Sequence, residues 1–235
     1  MQSSAAASAG NLLVAALRRK DRLQFIAGCE VIDLVRSAVL CEAGDRIRHV
    51  YFPTDGFISL VAALDGSNRL EVGLIGFEGM VGTPLVLGIA MSPVKALVQG
   101  VGSSLRMNAA TFRRELAKRP AFQKTLHRYL CVRMTQLANA AACNRFHVVE
   151  ARLARWLLMT HDRARSDAFH ITHEVLAPIL GVRRVGVTNA ANSLQKLRLI
   201  SYSRGNVTIL DRLGLMAASC GCYQADLDIY RSFLA

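Results

Sequence analysis

The sequence predicts an α+β protein in three parts: an antiparallel β-roll, one long helix, and a C-terminal pair of short helices closed by a β-hairpin. Three observations predict it. Seven short runs rich in β-branched and aromatic residues lie between Cys29 and Met107, separated by Gly- and Asp-containing turns. Apolar residues then recur every three or four positions from Pro120 to Asn144. Last, Ile171–Ile200 carries two helical patterns split by Gly181, with a Gly-containing turn soon after.

Residues 1–11, mostly small and polar in MQSSAAASAG, are expected to form a disordered N-terminus. Residues 12–118 form the first domain. Leu12, Leu13, Ala16, Leu17, Leu23, Phe25 and Ile26 predict one or two lead-in helices. Cys29–Leu34, Ala38–Cys41, Val50–Pro53, Phe57–Ala63, Leu70–Ile75, Val94–Val98 and Ser104–Met107 then predict short strands, with turns at Gly44-Asp45, Asp55-Gly56, Asp65-Gly66, Gly76 and Gly79. Short strands at this spacing close into a small antiparallel barrel or jelly roll. Glu78, in GFEGMVG, reads as a solvated loop acid.

Residues 119–144 form the long helix. Phe122, Leu126, Leu130, Met134, Leu137 and Ala141 make one continuous narrow seam, a pattern that packs against another helix. Asn144–His147 is expected to be a hinge before a helix from Val148 to Thr160, with Trp156 as core packing. Residues 145–213 form the third unit. Thr172 stands at an N-cap position, Val175, Leu176, Ile179 and Leu180 make the first apolar stripe, and Pro178 interrupts that helix. Val187, Ala190, Ala191, Leu194 and Leu197 make the second stripe. Arg183, Arg184, Thr188, Asn189, Asn192 and Lys196 face away from it, and these are residue types that bond base edges and phosphates. Ser201–Ser203 and Val207–Leu210 around Arg204-Gly205-Asn206 read as a hairpin, the wing of a winged helix. Residues 214–235 are a helical C-terminal tail.

The 235 residues carry a formal net charge of +12, which favours an anionic partner, and the excess is spread through both halves. No run is long enough to span a bilayer and no export signal is evident, so a cytoplasmic protein with reduced cysteines is expected. No G-x-S-x-G, P-loop, G-x-G-x-x-G or H-E-x-x-H occurs, so the sequence does not read as an enzyme.

The segment T172, G181-V182-x-R184, V187, L194, L199-I200-S201 resembles, without a gap, the winged helix-turn-helix of the Crp/Fnr family, relatives of the cyclic-AMP receptor protein. The turn glycines at 44, 56, 76 and 82 and the phrase HVYFPTDGFISL resemble the same family's cyclic-nucleotide-binding-like β-roll. The resemblance implies a homodimeric transcription regulator, held together by residues 119–144, that binds a two-fold site on double-stranded DNA and works with RNA polymerase. It gives Arg184 the base-reading role, with Arg183, Thr188 and Asn189 beside it and Thr172, His173 and Lys196 as phosphate contacts. Val185 stands where the family often has a glutamate, and Asn189 where a second arginine is frequent, so the preferred operator differs from that of the best-known members. The positions matching the family's phosphate cassette are Gly82-Thr83 and Val94-Lys95. They lack its carboxylate and arginine, which argues against cyclic AMP bound in the usual mode and leaves no predicted cofactor.

Two other readings stay open. One is a non-specific nucleic-acid-binding or architectural protein with the roll as scaffold. The other is a metal or redox sensor through Cys143, His147, Cys220 and Cys222. Their spacings match no standard zinc module and favour buried structural cysteines, so no metal is expected. Lone histidines such as His49, His127 and His147 are weak evidence for haem.

Overall fold

A computed structural model describes residues 10–63 and 69–234. The predicted tail at 1–9 and the Asp65-Gly66 turn lie outside these. Two lead-in helices, α1 (Leu12–Ala15) and α2 (Arg19–Ala27), precede seven strands: β1 (Glu30–Leu34), β2 (Val39–Cys41), β3 (His49–Pro53), β4 (Phe57–Ala63), β5 (Arg69–Ile75), β6 (Lys95–Gly100) and β7 (Gly102–Asn108). They form two antiparallel sheets, β1-β7-β3 and β2-β6-β4-β5. Between β5 and β6 lies a 3-10 turn, Thr83–Leu87. Residues at positions 10 and 11 do not belong to a disordered tail. Asn11 is fully buried, caps α1 by accepting from the Leu13 and Val14 amides, and donates to the carbonyls of Pro53 and Gly79.

Backbone geometry explains the turn residues. Gly56 has φ +72, and a side chain there would run into the carbonyl oxygens of Gly100 and Val101, so the β3–β4 turn admits no Cβ. Phe25, Phe52 and Phe112 meet edge-on or tilted in the roll core, joined by Phe122 of the long helix.

Helix α3 (Ala109–Ala117) leads into the long helix α4 (Pro120–Phe146). The expected single seam splits in two. Phe122 and Leu126 pack on the roll, but the burial then follows Tyr129, Val132, Arg133, Gln136 and Cys143, because 3.6-residue periodicity rotates a strict four-residue row off the contact face. Met134 (69% exposed), Leu137 (43%) and Ala141 are left on an exposed apolar stripe. The expected hinge is also shorter. Helix α4 runs through Asn144 to Phe146, and only His147 and Val148 separate it from α5 (Val149–Ala164).

The C-terminal half follows as β8 (Ala168–His170), α6 (His173–Leu180), α7 (Arg184–Lys196), β9 (Ile200–Ser203), β10 (Asn206–Ile209), α8 (Arg212–Ala218) and α9 (Cys222–Leu234). A separate core of Leu153, Trp156, Leu157, Leu176, Leu180, Val187, Ala191, Leu194, Ile200, Val207, Leu215 and Tyr223 holds it. The tail is not an appendage: α9 packs along α4, and Tyr223 lies in that core.

Helix α5 joins the two halves by polar contacts. Glu78 is not solvated but buried, where Arg163 Nε donates to its Oε1 at 2.8 Å and the Gly76 amide adds a bond at 3.1 Å. Trp156, besides packing, donates from Nε1 to Glu71 Oε1 at 2.9 Å, and the Ser59 hydroxyl donates to Glu71 Oε2. Burial pushes the Glu71 carboxyl up to about 7, while the bonds from Ser59 and Trp156 and the charges of Arg163 and Arg155 pull it the other way.

Removing one partner of a buried ion pair leaves the other uncompensated. Arg163→Ala is therefore expected to destabilise the fold by about 3–5 kcal/mol in urea unfolding, and Arg163→Met with Glu78→Leu to recover most of that loss. For Glu71 the folded state holds a proton between its ordinary value of 4.5 and about 7, where the unfolded chain has released it. Stability contributed by the neutral carboxyl is present below that window and lost as pH rises through it, by up to about 3 kcal/mol. Unfolding near pH 5 and near pH 8 should show this loss, and Glu71→Gln should flatten it.

Candidate nucleic-acid interface

Two helices and a wing build the exposed face. Thr172 caps α6, its Oγ1 accepting from the Val175 amide, and Gly181 ends it at φ +61 in the left-handed region. Pro178 removes one backbone bond inside this eight-residue helix, and its ring lines a cavity of about 270 Å³ between α6 and the roll. Helix α7 buries Val187, Ala190, Ala191 and Leu194, which turns its other side to solvent. Its N-cap, Arg183, makes no side-chain cap, so the first amides of α7 stay free for an anion.

The wing closes beside it. Arg204 (φ +49) and Gly205 (φ +82) form a two-residue turn between Ser203 and Asn206, which are paired across β9 and β10. A Cβ at Gly205 would stand 2.6 Å from the His170 ring. The unpredicted strand β8 pairs with β10 and makes this a three-stranded sheet. Tyr202 ties sheet to helices: its hydroxyl donates to the Ile171 carbonyl at 2.6 Å, its amide to Gln195, and its ring lies 4.5 Å from that of His173.

Thr172, His173 and Arg184 line one concavity together with Glu174, Tyr202, Arg204 and Gly205. Arg184 projects into solvent (68% exposed) and pairs with Glu174 at 3.1 Å. This exposed pair is weak and easily exchanged for another anion. Thr188 donates to the Arg184 carbonyl at 3.1 Å and lies 3.0 Å from His173 Nδ1, which fixes its hydroxyl. Burial, then the Arg184 charge, hold His173 below the usual histidine range. Arg183 and Asn189 are exposed on the same end or face of α7. Lys196 is exposed too, but twelve residues along α7 puts it roughly 18 Å from Arg184. Arg204 was not anticipated as a contact; its place in a two-residue turn after an amphipathic helix was the available signal. Val185, exposed beside Arg184, offers an apolar contact of the kind a thymine methyl accepts.

The proposed effector residues do not gather in the same way. Gly82 precedes and Thr83 begins the 3-10 turn, where a Cβ on Gly82 would press on Val50. Lys95, after Val94, pairs with Glu42 at 2.9 Å and lines the cavity facing α6, whose described lining includes neither Gly82 nor Thr83. The burial expected of structural cysteines holds for Cys143 and Cys220. Cys143 and Cys220 are buried, Cys222 is half-buried, and all three stand with His147 in one cluster. No helix among the described residues is long and apolar enough to cross a membrane.

Comparison with known proteins agrees with this geometry. Residues 151–218 match the Crp-like helix-turn-helix domain. No curated protein matches the chain by sequence. Among solved structures, the c-di-GMP-responsive global regulator CLP of Xanthomonas campestris is 16% identical with TM-score 0.65, covering 82% of this chain and 99% of that one. FixK2 from Bradyrhizobium japonicum is 11% identical with TM-score 0.69, covering 82% and 98%. A CRP-family transcriptional regulator from Thermus thermophilus is 19% identical with TM-score 0.64, covering 80% and 97%. The chain thus carries a Crp-like helix-turn-helix domain at 151–218 and shares its fold, over about four fifths of its length, with these regulators.

Proposed function

We propose that this protein is a homodimeric transcription regulator that recognises a two-fold site on double-stranded DNA and works with RNA polymerase in the cytoplasm. The observation that carries the reading is the exposed N-terminal end of α7, where Arg183, Arg184 and Asn189 flank uncapped helix amides beside a wing cation. Arg184 reads a base, and Arg183, Thr188 and Asn189 read or position. Thr172 and His173 hold phosphate, as does Lys196 farther along the groove, with Arg204 reaching the backbone from the wing.

The exposed stripe of Met134, Leu137 and Ala141 on α4 supports dimerisation, since two copies meeting there would bury it and hold two recognition helices about one DNA turn apart. Lys95 neutralised by Glu42, and Thr83 set away from that lysine's cavity, favour a roll that does not take cyclic AMP in the usual mode.

Footprinting of duplex DNA at base-pair resolution tests the reading. Arg184→Ala is expected to cost about 1–3 kcal/mol and to relax specificity at one base pair of each half-site. Lys196→Ala should weaken binding alike on all sequences and lower the salt slope by about 1. If Arg184→Ala also weakens all sequences alike, Arg184 holds phosphate. Met134→Glu with Leu137→Glu should give a monomer by sedimentation, with loss of two-fold protection.

A further inference from the structure

The long helix, the junction and the C-terminal turn meet at one point. Cys143 lies in the last turn of α4, His147 is the first residue after that helix, Cys220 lies between α8 and α9, and Cys222 is the first residue of α9. The thiol sulfurs and a histidine ring nitrogen all lie within 4.8 Å of one another. Cys143 Sγ is 3.5 Å from Cys220 Sγ, and Cys222 Sγ is 3.6 Å from His147 Nδ1.

We propose that Cys143, His147, Cys220 and Cys222 form a tetrahedral site for a single divalent ion of the zinc class. A tetrahedron with metal–sulfur bonds of about 2.3 Å and a metal–nitrogen bond of about 2.0 Å has edges of roughly 3.8 Å between sulfurs and 3.5 Å between sulfur and nitrogen. The two distances above lie within about 0.3 Å of those edges. Three cysteines and one histidine is a donor set that zinc takes in closed structural sites. A polynuclear iron–sulfur cluster would place bridging sulfides and several irons between the ligands and needs them farther apart.

The surroundings fit the charge. Three thiolates around a divalent cation carry one net negative charge. Arg152, which lines the same cavity as Cys143, is buried, and among the described residues its partners are neutral, the Asn144 side chain and the Leu180 carbonyl. It is a buried cation beside an anionic cluster. His147 is exposed, which leaves an entry path from solvent. A bound ion would join the end of α4, the two-residue junction and the start of α9. It would thereby restrain the angle at which the DNA-binding half leaves the long helix.

The test uses the full-length protein purified under reducing conditions, with metal counted by mass spectrometry and Co²⁺ added to the chelator-stripped form. One zinc per chain is expected, together with the intense visible d–d bands and thiolate-to-cobalt charge-transfer absorption of a tetrahedral Co²⁺ site. Cys222→Ser and His147→Ala should lose the stoichiometric metal and weaken or shift those bands, while Cys131→Ser, at an exposed position away from the cluster, should keep both. Circular dichroism of each variant separates loss of the ligand from loss of the fold. Absence of tight metal in folded wild-type protein would overturn the proposal. So would unaltered Co²⁺ spectra in Cys222→Ser, an iron–sulfur chromophore on reconstitution, or a Cys143–Cys220 disulfide that persists under reductant. Because none of these readouts involves DNA, their failure is distinct from failure of the regulatory reading.

Discussion

Helix α5 packs in the core of one half and bonds to buried acids of the other, and the arrangement of the molecule depends on that. Its apolar face, with Leu153, Trp156 and Leu157, is the centre of the winged-helix core. From the same helix Trp156 and Arg163 reach across to Glu71 and Glu78 of the roll. Burying these two acids would be unfavourable without the partners that α5 brings. The roll and the DNA-binding half are thus docked by polar groups that each would otherwise have to leave unsatisfied. Interfaces of this kind are specific in geometry and modest in net energy.

Only two residues, His147 and Val148, separate α5 from the long helix α4. A junction this short transmits rotation of one helix to the other with little slack. The first helix of the DNA-binding pair, α6, rests on β5 of the roll, and Arg36 donates to the His170 carbonyl at 2.7 Å beside the wing. Any event that shifts the roll face at β5 therefore acts directly on the scaffold that aims α7. The cluster of Cys143, His147, Cys220 and Cys222 stands at the same junction, and a bound ion would restrain it.

Local chemistry is legible in the sequence and long-range pairing is not. Thr172, Gly181 and the apolar stripe of α7 encode helix ends and a buried face within a few residues of one another, so the winged helix can be read almost to its boundaries. The strands of the roll are recognisable for the same reason, with Phe57–Ala63 matching at both ends. Strand β8 escapes a sequence reading because three residues carry no period, and its existence depends on β10 almost forty residues later. Glu78 looks like a loop acid because its partner is 85 residues away. The cysteine cluster is hidden likewise, since Cys143 and Cys220 are 77 residues apart and neither local spacing is that of a zinc module. The long seam misleads differently: a row of fours reads as one face, whereas the helical period divides it between the roll and solvent.

The decisive experiment is selection of bound duplexes from a random DNA pool by the purified protein, with and without cyclic nucleotides. Enrichment, with no nucleotide present, of a two-fold motif whose half-sites are centred about one helical turn apart is expected. A pool that stays unstructured in sequence while still binding tightly would contradict it and identify a non-specific nucleic-acid binder.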